Sequence, residues 1–329
     1  MVAAIQSLLP LLLLFCGPTV ASTSIWTREY GSYQSQLQKY KLADYVPTAL
    51  PSSDRSSKSL NATGGSLSGT DVFVDMVFYT VISTDVTSGR MALKVWHNLR
   101  WTDERLAWDP ADFGNITTTF YAAAGHNRLE DTQIWVPDIT LYNSLTAMTE
   151  SLDPQLATVS SSGQVFWSRP GSLEVLCKYS GLVAFPFDTL RCNFEIGGWA
   201  YGGFQQGVEL YPRTATAGDP LQGPGFVVER NQPTAGQAYS EHFIEAASAR
   251  VDTFTYDSYG SEPFPVVTYT VVLQRNTNIY YWVTVLLPAM SFVVASFAVF
   301  LLDPDVGERL GYGVTLILAT AVYQVGAWE

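Results

Sequence analysis

The sequence predicts a mainly β extracellular sandwich, immunoglobulin-like with an N-terminal helix, followed by transmembrane α-helices. Three observations predict it. Met1–Ser22 carries an apolar run, Leu8–Phe15, leading to small residues at Thr19, Ala21 and Ser22, the pattern of a secretory leader. From Asp71 onward, Val72, Val74, Met76 and Phe78 alternate with Phe73, Asp75, Val77 and Tyr79, and Ala92–Trp101 and Val266–Leu273 behave similarly. Ile279–Leu302 is a run of 24 residues without a charge, long enough at 1.5 Å per residue to cross a hydrocarbon core of about 30 Å.

In chain order, residues 1–22 form the leader and residues 23–275 an extracellular domain. Thr27–Tyr45, with Tyr, Leu and Lys at helical spacing, forms one helix that stops at Val46-Pro47. Pro51–Gly69 is rich in Ser and Gly and forms a loop. The strands that follow are separated by Gly, Pro, Asp and Asn turns with no regular helix between them, which argues for a sandwich. Thr214–Pro224 and Asn231–Gln237 are expected as loop. Residues 276–302 form the first membrane helix, 303–309 a cytoplasmic link, and 310–329 a second membrane helix.

Composition narrows the function. The 329 residues carry a net charge of −12 with 18 Lys and Arg, which argues against nucleic acid and favours solubility or attraction of cations. Loss of the leader removes Cys16, and the remaining pair, Cys177 and Cys192, suits one disulfide in an oxidising compartment. Closing a loop of about 16 residues stabilises by roughly 3 kcal/mol in the chain-entropy view. Sequons at Asn61 and Asn115 fit the same compartment. His97, His126 and His242 lie far apart without metal-ligand spacing, and no phosphate loop or nucleophile elbow appears. Neither an enzyme nor a cofactor or metal is expected.

The second span has its own pattern. Glu308, Gly311, Thr315, Leu318, Val322, Val325 and Glu329 recur at alternating steps of 3 and 4, which is one face of a helix. Two readings stay open from periodicity alone: a helix packed in a bundle, or a stripe facing a water-filled axis, with acid rings and a hydrophobic constriction.

Several motifs then stand in one order. Trp96 and Trp101 precede Thr102-Asp103. Trp135-Val136-Pro137-Asp138 leads to Leu141-Tyr142-Asn143, and Gly163–Pro170 contains Trp167. Cys177 and Cys192 enclose Phe185-Pro186-Phe187-Asp188, with Trp199 beyond. Gln274-Arg275 precedes the first span, and Gly307-Glu308-Arg309 opens the second. Together they resemble a subunit of the pentameric Cys-loop ligand-gated ion channels, of the nicotinic acetylcholine receptor-like, cation-selective branch. The resemblance implies an aromatic box for a small amine, neurotransmitter-like ligand: Tyr142, Trp199, Tyr256 and Phe264 from one subunit, closed by Trp96 of its neighbour. It implies coupling through Asp85, Phe185, Pro186, Phe187, Asp188 and Arg275 to a pore lined by the Glu308–Glu329 stripe. The setting implied is a pentamer of the same or homologous subunits, in contact with membrane lipid, in the plasma membrane at a synapse.

Three departures accompany the likeness. The cysteines enclose 14 residues rather than the usual 13. Ser258-Tyr259 stands where agonist-binding nicotinic subunits carry adjacent cysteines, and Phe264 replaces a commoner Tyr. The chain ends with the second of the family's four membrane helices, so the alternative is a truncated, non-conducting subunit that binds ligand or modulates partner subunits. A membrane-anchored adhesion sandwich is a further alternative, for which one span suffices.

Overall fold

A computed structural model describes residues 22–51, 69–126, 128–179, 188–214, 219–230, 242–275, 282–302 and 307–326. All but Ser22 of the leader, Asn61, Phe185, Pro186, Phe187 and Glu329 therefore lie outside the described residues. The first element is helix α1 (Ser22–Leu42), which ends three residues short of the expected boundary. The chain turns there because Tyr45 is needed elsewhere. Its hydroxyl donates to Asp103 Oδ2 at 2.6 Å and accepts from the Trp135 N–H and Arg105 Nη2, both at 2.9 Å. Among the described residues of α1, Leu37 is fully buried in the core and Leu42 packs against it.

The sandwich has a large and a small sheet. The eight-stranded sheet runs β3 (Thr118–Ala123), β5 (Gln155–Ser160), β6 (Gln164–Leu176), β2 (Arg90–Thr102), β1 (Thr70–Asp85), β10 (Phe226–Val228) and β9 (Gln222–Gly223), with β8 (Gln206–Leu210) also on β1. The four-stranded sheet runs β11 (His242–Thr255), β12 (Pro263–Arg275), β7 (Thr189–Gly197) and β4 (Thr140–Leu141). Most pairings are antiparallel, but β1 takes β8 and β10 in parallel along one edge, beyond a simple immunoglobulin-like meander. The stretch expected as loop after Thr214 holds β9, which pairs with β10.

The alternation read in β1 sets its facing. Val72, Val74, Met76 and Phe78 are fully buried between the sheets, as a period of two requires. Phe78 meets Phe194 of β7 at 6.0 Å and Tyr269 of β12 at 5.8 Å between ring centroids, joining the two layers. The opposite face of β1 is not wholly open. Asp75 is buried there, gripped by Arg213 through Nε at 2.7 Å and Nη2 at 2.5 Å, with Arg100 at 3.7 Å. A buried carboxylate demands such pairing.

The disulfide between Cys177 and Cys192, with Cα atoms 5.1 Å apart, ties the end of β6 to β7. Beyond β12, a π-helical turn (Trp282–Leu286), α3 (Leu287–Phe297) and a 3-10 turn (Ala298–Leu301) precede α4 (Glu308–Gly326), while α2 (Met148–Ser151) is a single turn inside the sandwich domain. The first expected span is thus three abutting helical pieces. Pro288 accounts for the widened turn before it: its ring clashes with the carbonyl four residues earlier and it donates no hydrogen bond. Among the described residues no helix is long and apolar enough to cross a membrane. The two helices pack on each other through Tyr312, whose hydroxyl donates to Ala295 O at 3.0 Å, and through Phe292 against Tyr323 at 5.4 Å.

Candidate functional site

The small sheet gathers four of the five aromatic candidates. β4 pairs with the last residues of β7, Leu141 opposite Ile196 and Thr140 opposite Gly197, so Tyr142 emerges beside the turn that follows β7. Its hydroxyl donates to Gly198 O at 2.6 Å, and its ring meets Trp199 edge-on at 6.3 Å. A Cβ at Gly197 would lie 2.6 Å from the Tyr142 hydroxyl, so only glycine permits the approach. Burial, then nearby Tyr256 and Asp138, push the Tyr142 hydroxyl up to about 12, so it stays protonated at neutral pH.

Trp199 is 72% exposed, an unusual position for so large an apolar surface. Its backbone is held, not its ring. Asp138 Oδ2 accepts from the N–H groups of Trp199 at 2.9 Å, Ala200 at 2.5 Å and Tyr201 at 3.2 Å. Gln206, fully buried, holds Asp138 in turn: its Oε1 accepts from the Asp138 N–H and its Nε2 donates to the Asp138 carbonyl, both at 2.8 Å. Asp138 was visible as part of the Trp135–Asp138 motif. Its hold on a turn 61 residues away has no sequence signal.

The β11–β12 hairpin supplies the opposite wall. Its turn carries Tyr256 and Tyr259, each 5.3 Å edge-on from Phe264. The Gly203 N–H donates to Pro263 O at 2.6 Å, stitching the Trp199 turn to the hairpin base. Phe264 is only 5% exposed, whereas Tyr256 and Tyr259 are 45% and 59% exposed. Phe264 therefore supports the wall, and Tyr259, not expected as a site residue, offers the accessible ring. Trp96 lies on β2 of the other sheet, half-buried against Tyr79 at 5.6 Å, and is not brought to the other four within one chain.

The coupling candidates separate. Arg275, the last residue of β12, donates to Asp188 through Nε to Oδ1 at 2.8 Å and Nη2 to Oδ2 at 3.1 Å; both side chains are buried. Burial pushes the Asp188 carboxyl up, but the Arg275 hydrogen bonds and charge outweigh it and hold it below the usual range. Asp85 does not join them. Its exposed carboxylate caps its own turn, accepting from the N–H groups of Thr87 at 2.9 Å and Ser88 at 3.0 Å. Asn115 sits exposed in a turn at φ 60° beside Gly114, open to modification. In α4, Glu308, Gly311, Thr315, Leu318 and Val322 are all exposed and Tyr312 and Tyr323 face α3; Val325 lies in the helix.

Among the described residues no group of His, Cys, Asp and Glu is arranged to hold a metal. The cystine-tied sandwich presents aromatic rings from two stitched turns. Residues 35–277 match the neurotransmitter-gated ion-channel ligand binding domain, and the chain belongs to that family. It is similar to acetylcholine receptor subunit alpha-type acr-16 of Caenorhabditis briggsae, 29% identical over 252 residues, covering 77% of this chain and 45% of that protein. It is similar also to neuronal acetylcholine receptor subunit alpha-10 of Rattus norvegicus, 27% identical over 295 residues, 90% of this chain and 58% of the other. Acetylcholine receptor subunit alpha-type acr-7 of Caenorhabditis elegans is 28% identical over 333 residues, 98% of this chain and 54% of the other. The chain spans about half the length of the curated relatives it matches.

Proposed function

We propose that this chain is a subunit of a neurotransmitter-gated, cation-selective channel that binds a small amine between subunits. The observation that carries the reading is the accessible trio of Trp199 on one wall and Tyr256 and Tyr259 on the other, the two stitched together from Gly203 to Pro263, within a family of ligand-binding domains. Aromatic faces attract an ammonium group, each contact worth about 0.5–2 kcal/mol. Tyr142 orients Trp199, Phe264 backs the hairpin, and Trp96, on the other sheet, closes the box from the neighbouring subunit of a pentamer.

The same hairpin reaches the coupling pair. At about 3.3 Å per residue, β12 carries the chain roughly 36 Å from Phe264 to Arg275. Ligand drawing the Tyr256–Tyr259 tip toward Trp199 shifts a population in which Asp188 and Arg275 lie at the far end of a stiff two-stranded lever. The two C-terminal helical segments cross the plasma membrane. Support comes from their exposed apolar surface: Leu287, Val294, Phe297, Leu310, Ile317 and Leu318 are each more than 60% exposed, a surface that water penalises and lipid or sister helices accept. The Glu308–Val322 stripe faces the pore, and the sandwich is extracellular, at a synapse.

The test is binding of acetylcholine, choline and serotonin to the full chain in detergent, with Trp199→Ala beside it. Saturable binding of one amine, weakened in the variant by the about 0.5–2 kcal/mol of one cation–π contact, is the expected result. Absence of amine binding by oxidised pentamer overturns the reading.

A further inference from the structure

Behind the turn that holds Trp199 lies a cleft of about 210 Å³, walled by Pro137–Thr140 on one side and by Trp167 and Arg169 of β6 on the other. Arg169 is out of place there. It is 3% exposed, and among the described residues no carboxylate pairs with it. Its guanidinium lies 4.0 Å over the Trp167 ring, and Nη2 stands 3.5 Å from His97 Nδ1, the outer limit of a hydrogen bond. Among the described residues its Nε has no hydrogen-bond partner. His97, whether neutral or cationic, cannot supply a counter-charge; burial, then the Arg169 charge, hold the imidazole well below its ordinary range and so in its neutral form.

A guanidinium has five N–H donors and no means of losing its charge at neutral pH. Burial of such a group is stable only when it is paired and hydrogen-bonded, and one ring face with one distant imidazole does not meet that need. The remaining space is of the right kind. A water occupies about 30 Å³ of liquid, so the cleft exceeds what one water fills. Met148 and Ile139 make part of its wall apolar, and Thr140 and Ser144 bring hydroxyls. Asp138, the one acid in the lining, has Oδ2 turned to three backbone amides.

We propose that this cleft binds a small organic carboxylate, its two oxygens on the Arg169 guanidinium and its short carbon chain against Met148 and Ile139. The planar fork of arginine matches a carboxylate better than a spherical halide. Because Pro137–Thr140 forms the cleft wall and leads into the Asp138 and Tyr142 contacts, an occupant would stiffen the turn that presents Trp199. The site goes beyond the amine reading and does not depend on it.

The experiment is calorimetric titration of the full chain in detergent with sodium butyrate, its neutral isostere butyramide, and sodium chloride at matched ionic strength. Saturable butyrate binding is expected, with butyramide at least tenfold weaker and chloride unable to displace butyrate at equal concentration. Arg169→Gln should weaken butyrate at least tenfold, and Arg169→Lys should recover part of the loss. Because Arg169→Gln alters a buried position, Ala147→Leu, at an exposed position of the cleft lining, adds bulk to the cleft and should abolish butyrate binding in folded protein. No butyrate binding by the wild type, equal binding of butyramide, chloride displacing butyrate, or unchanged affinity in either Arg169→Gln or Ala147→Leu would each overturn the proposal. Trp199→Ala should leave butyrate affinity unchanged, which separates this site from the amine site.

Discussion

Arg275 closes the base of the β11–β12 hairpin onto Asp188 with two parallel hydrogen bonds, while Tyr256 and Tyr259 form the tip of the same hairpin. His242 lies opposite Arg275 in the strand register and its Nδ1 is 2.8 Å from the Thr84 hydroxyl, so β1 of the large sheet meets the same base. One end of a single supersecondary unit is therefore locked by charge in the interior, and the other carries exposed rings.

Breaking the lock has a large expected cost. Asp188→Asn or Arg275→Gln leaves a buried charge without its partner, a loss of about 3–5 kcal/mol. The double variant, lacking both charges, should be less destabilised than the sum, and chemical unfolding of the four proteins measures the difference. The acid response follows from the same pair. The folded Asp188 carboxyl is held below its ordinary value, so its contribution is present above the unfolded value, about pH 4, and is lost as pH falls through the lower folded value. Wild-type stability should drop more steeply than that of Asp188→Asn below about pH 4.

Much of this architecture was legible in sequence, for local reasons. The period of two in β1 put Val72, Val74, Met76 and Phe78 inside, and the uncharged run after Ile279 marked the change to helix. Long-range contacts were not legible. Asp75 reads as an outward residue of β1, yet Arg213, 138 residues on, covers it. Phe264 reads as a ligand contact by motif position, but its alternation in β12 turns it beneath the two tyrosines. Tyr259 could have been found: a bulky aromatic at the tip of a hairpin has no core to enter.

Tyr142 should show itself through its hydroxyl. Tyr142→Phe keeps the ring beside Trp199 but removes the hydrogen bond to Gly198; it should cost about 1 kcal/mol in stability and weaken the amine site as the turn carrying Trp199 loses that tie. In the wild type, the protonated hydroxyl contributes stability that is complete below the unfolded value of 10 and is lost as pH rises through about 12. Tyr142→Phe should flatten the alkaline limb of a stability-against-pH curve over that window.

Trp199 and Asp138 should divide cleanly into ligand and scaffold effects. Trp199→Ala removes an exposed ring, so its unfolding free energy should stay within about 0.5 kcal/mol of the wild type. Amine affinity should fall about 2-fold to 30-fold, the equivalent of about 0.5–2 kcal/mol for one cation–π contact. Asp138→Ala frees three backbone N–H groups, and should lower both stability, by roughly 1–3 kcal/mol, and affinity. If Trp199→Ala destabilises as much as Asp138→Ala, the ring is structural and its place in the amine site is wrong.

The apolar surface of the helical hairpin gives the remaining prediction. Val294 is 67% exposed on α3, at the centre of the segment from Trp282 to Leu301. A lysine there costs about 2.5–3.5 kcal/mol if the segment sits mid-bilayer and almost nothing if it lies in water. Membrane integration of Val294→Lys should therefore fall markedly, scored by the glycosylation of acceptor sites placed on either side of the segment. Glu308, at the start of the pore stripe, should behave oppositely: Glu308→Gln leaves integration intact and lowers cation selectivity in any channel the subunit forms. Equal integration of wild type and Val294→Lys would place the segment outside the bilayer, and the exposed rows of α3 and α4 would then need a protein partner instead of lipid.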